Sequence, residues 1–230
     1  MFSIAITLFG IAALFFVGNK TKAIFPKSFF KYQITYQSIT LVIALILVQL
    51  NRSQVDKHIK LVGNWSAPIT NMKWLGIPRD TPWSSGAITY TLIPLFITSF
   101  VVYLQVAKST SILRLLRYVP IAIPFAVLNS LTEELVFRVI GVEGLTYSVG
   151  VVAFICGVWF GIPHYFGTPG KIPGVLLAGF LGWVMAISML NTGGLLAAWL
   201  IHFSQDIPIL AMLFAINSQA DPNTQVMIEP

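Results

Sequence analysis

The sequence predicts an all-α, polytopic transmembrane helical bundle of about seven helices, one domain over residues 1–216 with a polar tail at 217–230. Three observations lead there. Hydrophobic residues make up 56% of the 230-residue chain and charged residues only 10%, whereas a soluble domain carries about a quarter charged residues. Mean hydropathy is +0.81. The apolar residues fall into runs near the length of about 20 residues that a spanning helix needs. So few charges cannot cover a water-facing surface, which argues against a soluble enzyme and a disordered protein. The net charge of +6, from 14 Lys+Arg against 8 Asp+Glu, is no nucleic-acid footprint. The basic residues sit between apolar runs, as topology-setting loop charge does.

The runs come in order. Phe2–Val17 is short and apolar from the start, without a basic leader or a small-residue cleavage site before Lys20, so it reads as a retained helix. Ile34–Leu50 and Ala87–Val106 follow, separated by the loop 51–86 with Trp65, Trp74 and Trp83. Aromatic residues in such a segment sit at headgroup level, so an interfacial loop with a half-buried helix is expected. Tyr118–Ile140, Tyr147–His164, Ile172–Leu190 and Gly194–Ile216 complete the set, with a catalytic core expected over 118–216. No internal repeat of the kind used by many transporters is visible. The single cysteine, Cys156, lies in an apolar run and forms no internal disulfide.

Lys/Arg bias sets orientation. One side receives Lys20, Lys22, Lys27, Lys31, Lys108, Arg114, Arg117 and Lys171; the other receives Arg52, Lys57, Lys60, Lys73 and Arg79. The first side is expected to be cytoplasmic, with the N-terminus outside, the protein in the cell membrane and its site facing the cytoplasm.

Ionisable residues inside spanning helices cost about 2.5–3.5 kcal/mol each on insertion scales. Six stand out: Glu133, Glu134 and Arg138 in the fourth run, His164 ending the fifth, His202 and Asp206 in the seventh. Glu134 and Arg138 are one turn apart and can pair. Glu133 is rotated about 100° away, on a face with Asn129 and Phe137, so one carboxylate can be neutralised while the other stays free. His164 follows Phe160 by four residues, which brings the two rings side by side. Pro163 removes a partner from the carbonyl of Trp159, a break that fits a wet cavity. Measured along straight helices from the turns near Thr146 and Gly193, His202 is about 13 Å deep, Glu134 about 18 Å, Asp206 about 20 Å and His164 about 27 Å. Convergence therefore needs a kink at Pro163 or an earlier start to the fifth helix, and the cavity is expected to open to the lysine-rich side. Asn129, Ser130 and Asn191 could line a cavity or bond to backbone and are left out of the site, as are His58, Glu143 and most Phe and Trp residues.

Glu133-Glu134-Leu135-Val136-Phe137-Arg138 resembles the E-E-x-x-x-R motif of the CPBP family of intramembrane endopeptidases. That family includes the type II CAAX prenyl proteases and bacteriocin-processing or immunity proteins. Phe160 to His164 resembles its F-x-x-x-H, and His202 to Asp206 its H-x-x-x-N or H-x-x-x-D. The three occur in order over residues 133–206. Two positions depart: Val139 stands where Gly is usual, and Asp206 where many members have Asn. An ionised Asp cannot donate a hydrogen bond.

Peptide hydrolysis needs an activated water, a stabilised oxyanion and a proton for the leaving amine. The resemblance implies Glu133 as general base, with His164 orienting the water. It implies Glu134 with Arg138 as a structural pair, His202 as oxyanion donor and Asp206 as the group that sets a neighbouring histidine's tautomer. The expected chemistry is metal-free; the alternative is a zinc set of Glu133, His164, His202 and Asp206. The expected partners are the lipid bilayer and a membrane-associated protein or peptide substrate, prenylated or not, with no nucleic acid. Two other classes remain: a proton-coupled transporter, since intramembrane Glu and His also relay protons, and a non-catalytic bacteriocin-immunity or scaffold protein.

Overall fold

The computed structural model describes residues 2–52, 60–70, 72–78, 80–108, 110–142, 145, 147–167 and 170–218. Lys57, His58, Arg79, Glu143, Thr146 and the tail after Ser218 lie outside the described residues. Seven helices carry the fold and no strand is present among the described residues. They are α1 (Phe2–Ile24), α2 (Phe29–Leu50), α3 (Trp83–Val106), α4 (Ile112–Glu134), α5 (Val149–Gly161), α6 (Lys171–Thr192) and α7 (Leu196–Asn217). α4 continues as a π-helix, Leu135–Ile140, and α5 as a 3-10 helix, Ile162–Phe166. Six of these units, all but α1, are long and apolar enough to cross a membrane by length and composition.

Most of the helices are longer than the apolar runs. The added turns are polar or aromatic and are capped: Ser28 accepts from the backbone N–H of Lys31 at 3.3 Å, and Ser111 from that of Arg114 at 3.3 Å. Lys20, Lys22, Lys31, Arg114 and Arg117 are thus helical rather than loop residues. Long basic side chains at helix ends reach the headgroups along their apolar stems, so hydropathy alone places these ends too early.

α7 lies at the centre of the bundle, against α3, α4 and α6. Arg114 Nη2 donates to Ser218 Oγ at 3.1 Å, which sets the start of α4 beside the end of α7 and makes the pair antiparallel. α5 and α6 form a hairpin whose helices touch through glycines. A Cβ on Gly157 would lie 2.8 Å from the carbonyl oxygen of Gly179, and one on Gly161 2.6 Å from that of Val175. Small residues allow this approach where lipid supplies no hydrophobic drive between helices. α1 and α2 form a second hairpin against α4 and its π extension. Large apolar side chains such as Phe96, Phe154 and Leu176 face outward, as bilayer-facing residues do.

The loop between α2 and α3 is pinned to the α6–α7 turn. The Lys60 N–H donates to Gly193 O at 2.9 Å, Asn64 N–H to Thr192 O at 2.7 Å, and Leu196 N–H to Leu61 O at 2.9 Å. The contact requires glycine: a Cβ on Gly63, whose φ is +71°, would sit 2.7 Å from Gly194 N. Asn191 Oδ1 accepts from Thr70 N–H at 2.9 Å and Trp83 Nε1 at 3.1 Å. Trp83 is therefore a fully buried core residue that opens α3, not a headgroup-level aromatic; its indole N–H finds its partner inside the protein. Trp74, 68% exposed, lies on a single 3-10 turn, Lys73–Leu75. Arg52 is also helical, and residues 53–59 after it lie outside the described residues, as does that part of the half-buried helix expected here.

Candidate active site

Glu133 and Glu134 are the last α-helical residues of α4. The π turn that follows is a wide turn of the type found at functional sites, and it carries Arg138 back over Glu134. Arg138 Nη1 lies 3.0 Å from Glu134 Oε1, and neither side chain has any exposed surface. The guanidinium also stacks over Phe160, with Cζ 4.0 Å from the ring centroid, a cation–π contact strengthened by desolvation.

The same Glu134 oxygen lies 2.7 Å from His202 Nδ1. An ionised carboxylate only accepts, so Nδ1 carries a proton, and Nε2 faces the rest of the site. Nε2 stands 3.6 Å from Glu133 Oε2 and 3.7 Å from Asp206 Oδ1, beyond hydrogen-bond length. The other oxygens of these two carboxylates share one donor: Asn129 Nδ2 donates to Glu133 Oε1 at 3.1 Å and to Asp206 Oδ2 at 3.1 Å.

His164 arrives through the change of helix type. After Gly161 the chain tightens into the 3-10 helix that contains Pro163, where backbone bonds run to i+3 rather than i+4. The imidazole makes the i−4 contact instead: His164 Nδ1 donates to Phe160 O at 2.7 Å. Phe160 ties the cluster together, with ring centroids 4.6 Å from His164 and 5.1 Å from His202. Gly182 makes room for it, since a Cβ there would meet the Phe160 Cβ at 2.9 Å.

A cavity of about 550 Å³ lies against this cluster, within the range of small-molecule sites. Phe160, His164, His202 and Asp206 form one wall; the others come from α3, α6 and loop residues such as Ile69 and Ile77. The lining on α3 runs from Ser85 to Gln105, nearly the whole helix, so the cavity is not confined to the lysine-rich end. Glu133 is not among the lining residues; its Oε2 lies 3.6 Å from His202 Nε2, and 17% of its side chain is accessible. Glu133 and His202 also lie nearer the tryptophan-rich loop, since Glu133 is close to the end of the π turn at Ile140 and His202 close to the start of α7 at Leu196.

The structure thus brings Glu133, Glu134, Arg138, His202 and Asp206 into one contact network. It sets His164 beside them across Phe160, within electrostatic reach of Glu133 and His202. Glu134 is the carboxylate bonded to His202 Nδ1, while Asp206, expected to set a neighbouring histidine's tautomer, lies 3.7 Å from His202 Nε2. Asn129 is the member of the network that the sequence reading passed over, and its position one turn before Glu133 was the available signal. Among the described residues no three His, Cys, Asp or Glu side chains are arranged to hold a metal ion. Nδ1 of each histidine is engaged, by Phe160 O and by Glu134, which leaves both Nε2 atoms free.

Residues 115–207 match the family model of the type II CAAX prenyl endopeptidases, Rce1-like. No curated protein and no solved structure gives a significant match.

Proposed function

We propose, from the premise that residues 115–207 form an Rce1-like, type II CAAX prenyl endopeptidase segment, that the protein is an integral-membrane endopeptidase acting through a glutamate-activated water without a metal. The observation that carries this reading is the commitment of His202. Its Nδ1 is tied to Glu134, which Arg138 holds, and its Nε2 faces Glu133 and Asp206 at the wall of an apolar cavity.

In this reading Glu133 Oε2 takes a proton from water, and the hydroxyl adds to the scissile carbonyl. With Nδ1–H on Glu134 and the Glu133 and Asp206 carboxylates facing Nε2, His202 acts as the doubly protonated imidazolium, and its Nε2–H donates to the oxyanion as it forms, which is where a fixed donor contributes most. The proton on Glu133 passes to the leaving nitrogen, and the C–N bond breaks. His164, with Nδ1 held by Phe160 O, turns Nε2 towards the water as an acceptor. The cavity takes the apolar part of a membrane-associated peptide, prenylated or not.

Purified protein in liposomes, given a farnesylated CAAX-type peptide and its unprenylated counterpart, tests the reading. Glu133→Gln is expected to lower the rate about 10²- to 10⁴-fold with unchanged thermal melting, whereas Asp206→Asn retains most activity. The opposite pattern would transfer the base role to Asp206, the carboxylate that lines the cavity. A stoichiometric metal in the purified protein, stripped by chelators together with activity, would overturn the metal-free mechanism. Proton or solute flux without cleavage would favour the transporter reading.

A further inference from the structure

The endopeptidase reading leaves Asn129 without a task, and its hydrogen bonds supply one. Hydroxyls inside this bundle mostly return to their own helix: Ser130 Oγ donates to Ala126 O at 2.6 Å, and Thr40 Oγ1 to Tyr36 O at 2.8 Å. Asn129 bonds to side chains instead of backbone. Its Nδ2 spans two helices and donates to Glu133 Oε1 on α4 and Asp206 Oδ2 on α7, each at 3.1 Å. A carboxamide NH2 carries two protons, one for each carboxylate.

Two consequences follow. Like charges side by side in a low dielectric repel strongly, and a shared donor lets the two carboxylates stay adjacent. Each carboxylate also has one oxygen occupied, so the other has a fixed direction: Glu133 Oε2 and Asp206 Oδ1 are the oxygens facing His202 Nε2, at 3.6 and 3.7 Å. Without the amide, either carboxylate is free to rotate and present the wrong oxygen or none.

We propose that Asn129 is a positioning residue: one amide donor, shared across the α4–α7 contact, registers Glu133 and Asp206 against His202. This rests on the endopeptidase reading. Asn129 itself touches neither water nor substrate in the scheme.

The test uses full-length protein in liposomes with the farnesylated CAAX-type peptide, and the variants Asn129→Ala, Asn129→Asp and Asn129→Asp/Asp206→Asn. Misplacing reacting groups by about 1 Å costs on the order of 100-fold. Asn129→Ala is therefore expected to lose about 10- to 100-fold in kcat with little change in KM, and its kcat–pH profile moves. The groups titrating around the amide are Glu133, Glu134, His202 and Asp206, with Tyr36 of α2 and His164 of α5 in electrostatic reach. A residue that merely holds the helices together would lower the amount of folded enzyme and leave that profile as in the wild type. Asn129→Asp places a third carboxylate where the donor was and is expected to be the least active. The double exchange returns one amide to the contact and recovers part of kcat, a comparison that remains informative if Asn129→Ala folds poorly. A double variant no better than Asn129→Asp, or an Asn129→Ala enzyme with wild-type kcat and pH profile, overturns the proposal while leaving the protease reading intact. Wild-type protein that cleaves neither peptide sinks both.

Discussion

Arg138 and Glu134 meet with no exposed surface on either side chain. Removing one partner of a buried pair costs about 3–5 kcal/mol, because the other charge is left uncompensated. Arg138 does more than neutralise: its Nη1 pairs with Glu134 while its flat face lies on Phe160, and an ammonium has no such face to stack. Arg138→Lys is therefore expected to lower the melting temperature in detergent and to reduce peptide cleavage at least about tenfold, since Glu134 then holds His202 Nδ1 less firmly. Wild-type melting and rates in this variant would show that charge alone suffices. The sequence exposed this pair through its i,i+4 spacing and its cost in lipid. It did not expose the π turn that delivers Arg138, because a wide turn has no composition signal. Nor did it expose Asn129, an uncharged side chain whose partners lie on two helices and become visible only when those helices are packed.

At the level of elements, every expected apolar run became a helix, but several ends moved outward where Ser caps, aromatic residues and snorkelling Lys or Arg extend the turns. The docking of the loop to the α6–α7 turn was not legible. It depends on backbone hydrogen bonds and on glycines too far apart in sequence to show a pattern, Gly63 against Gly194. The α5–α6 glycines are the element feature on which the site leans hardest, since α5 carries both Phe160 and His164. Gly157→Val would push a side chain into Gly179 O and the Trp183 Cβ, 2.8 and 3.0 Å from the position of the added Cβ. Such overpacking costs about 1–3 kcal/mol, and the displaced helix carries His164 with it. The variant is expected to melt earlier and cleave poorly. Gly179→Ala, whose Cβ would be 3.4 Å from Gly157 O, should be tolerated in both assays. Equal behaviour of the two variants would mean that helix separation does not set the site.

For the molecule as a whole, the open question is which end faces the cytoplasm. Among the described residues the two ends differ in basic charge: Lys20, Lys22, Lys27, Lys31, Lys108, Arg114, Arg117 and Lys171 against Arg52, Lys60 and Lys73. Extending α1, α2 and α4 does not move any of these to the other end, because basic residues near the ends of spanning helices still count towards the bias. We therefore expect the turns at 25–28 and 107–111 in the cytoplasm of the host cell, and the tryptophan-rich loop outside. The buried, solitary thiol of Cys156 makes the test direct. In a Cys156→Ser background, Lys27→Cys and Lys73→Cys each introduce one thiol at an exposed position, and the two flank α2. A membrane-impermeant maleimide added to intact cells should label Lys73→Cys at once and Lys27→Cys only after the membrane is opened. The reverse order would invert the bundle. Because both probes lie beyond α1, the result holds whether or not that helix crosses the bilayer, and an epitope at the N-terminus settles that separately: reachable from outside if α1 spans, hidden if it does not.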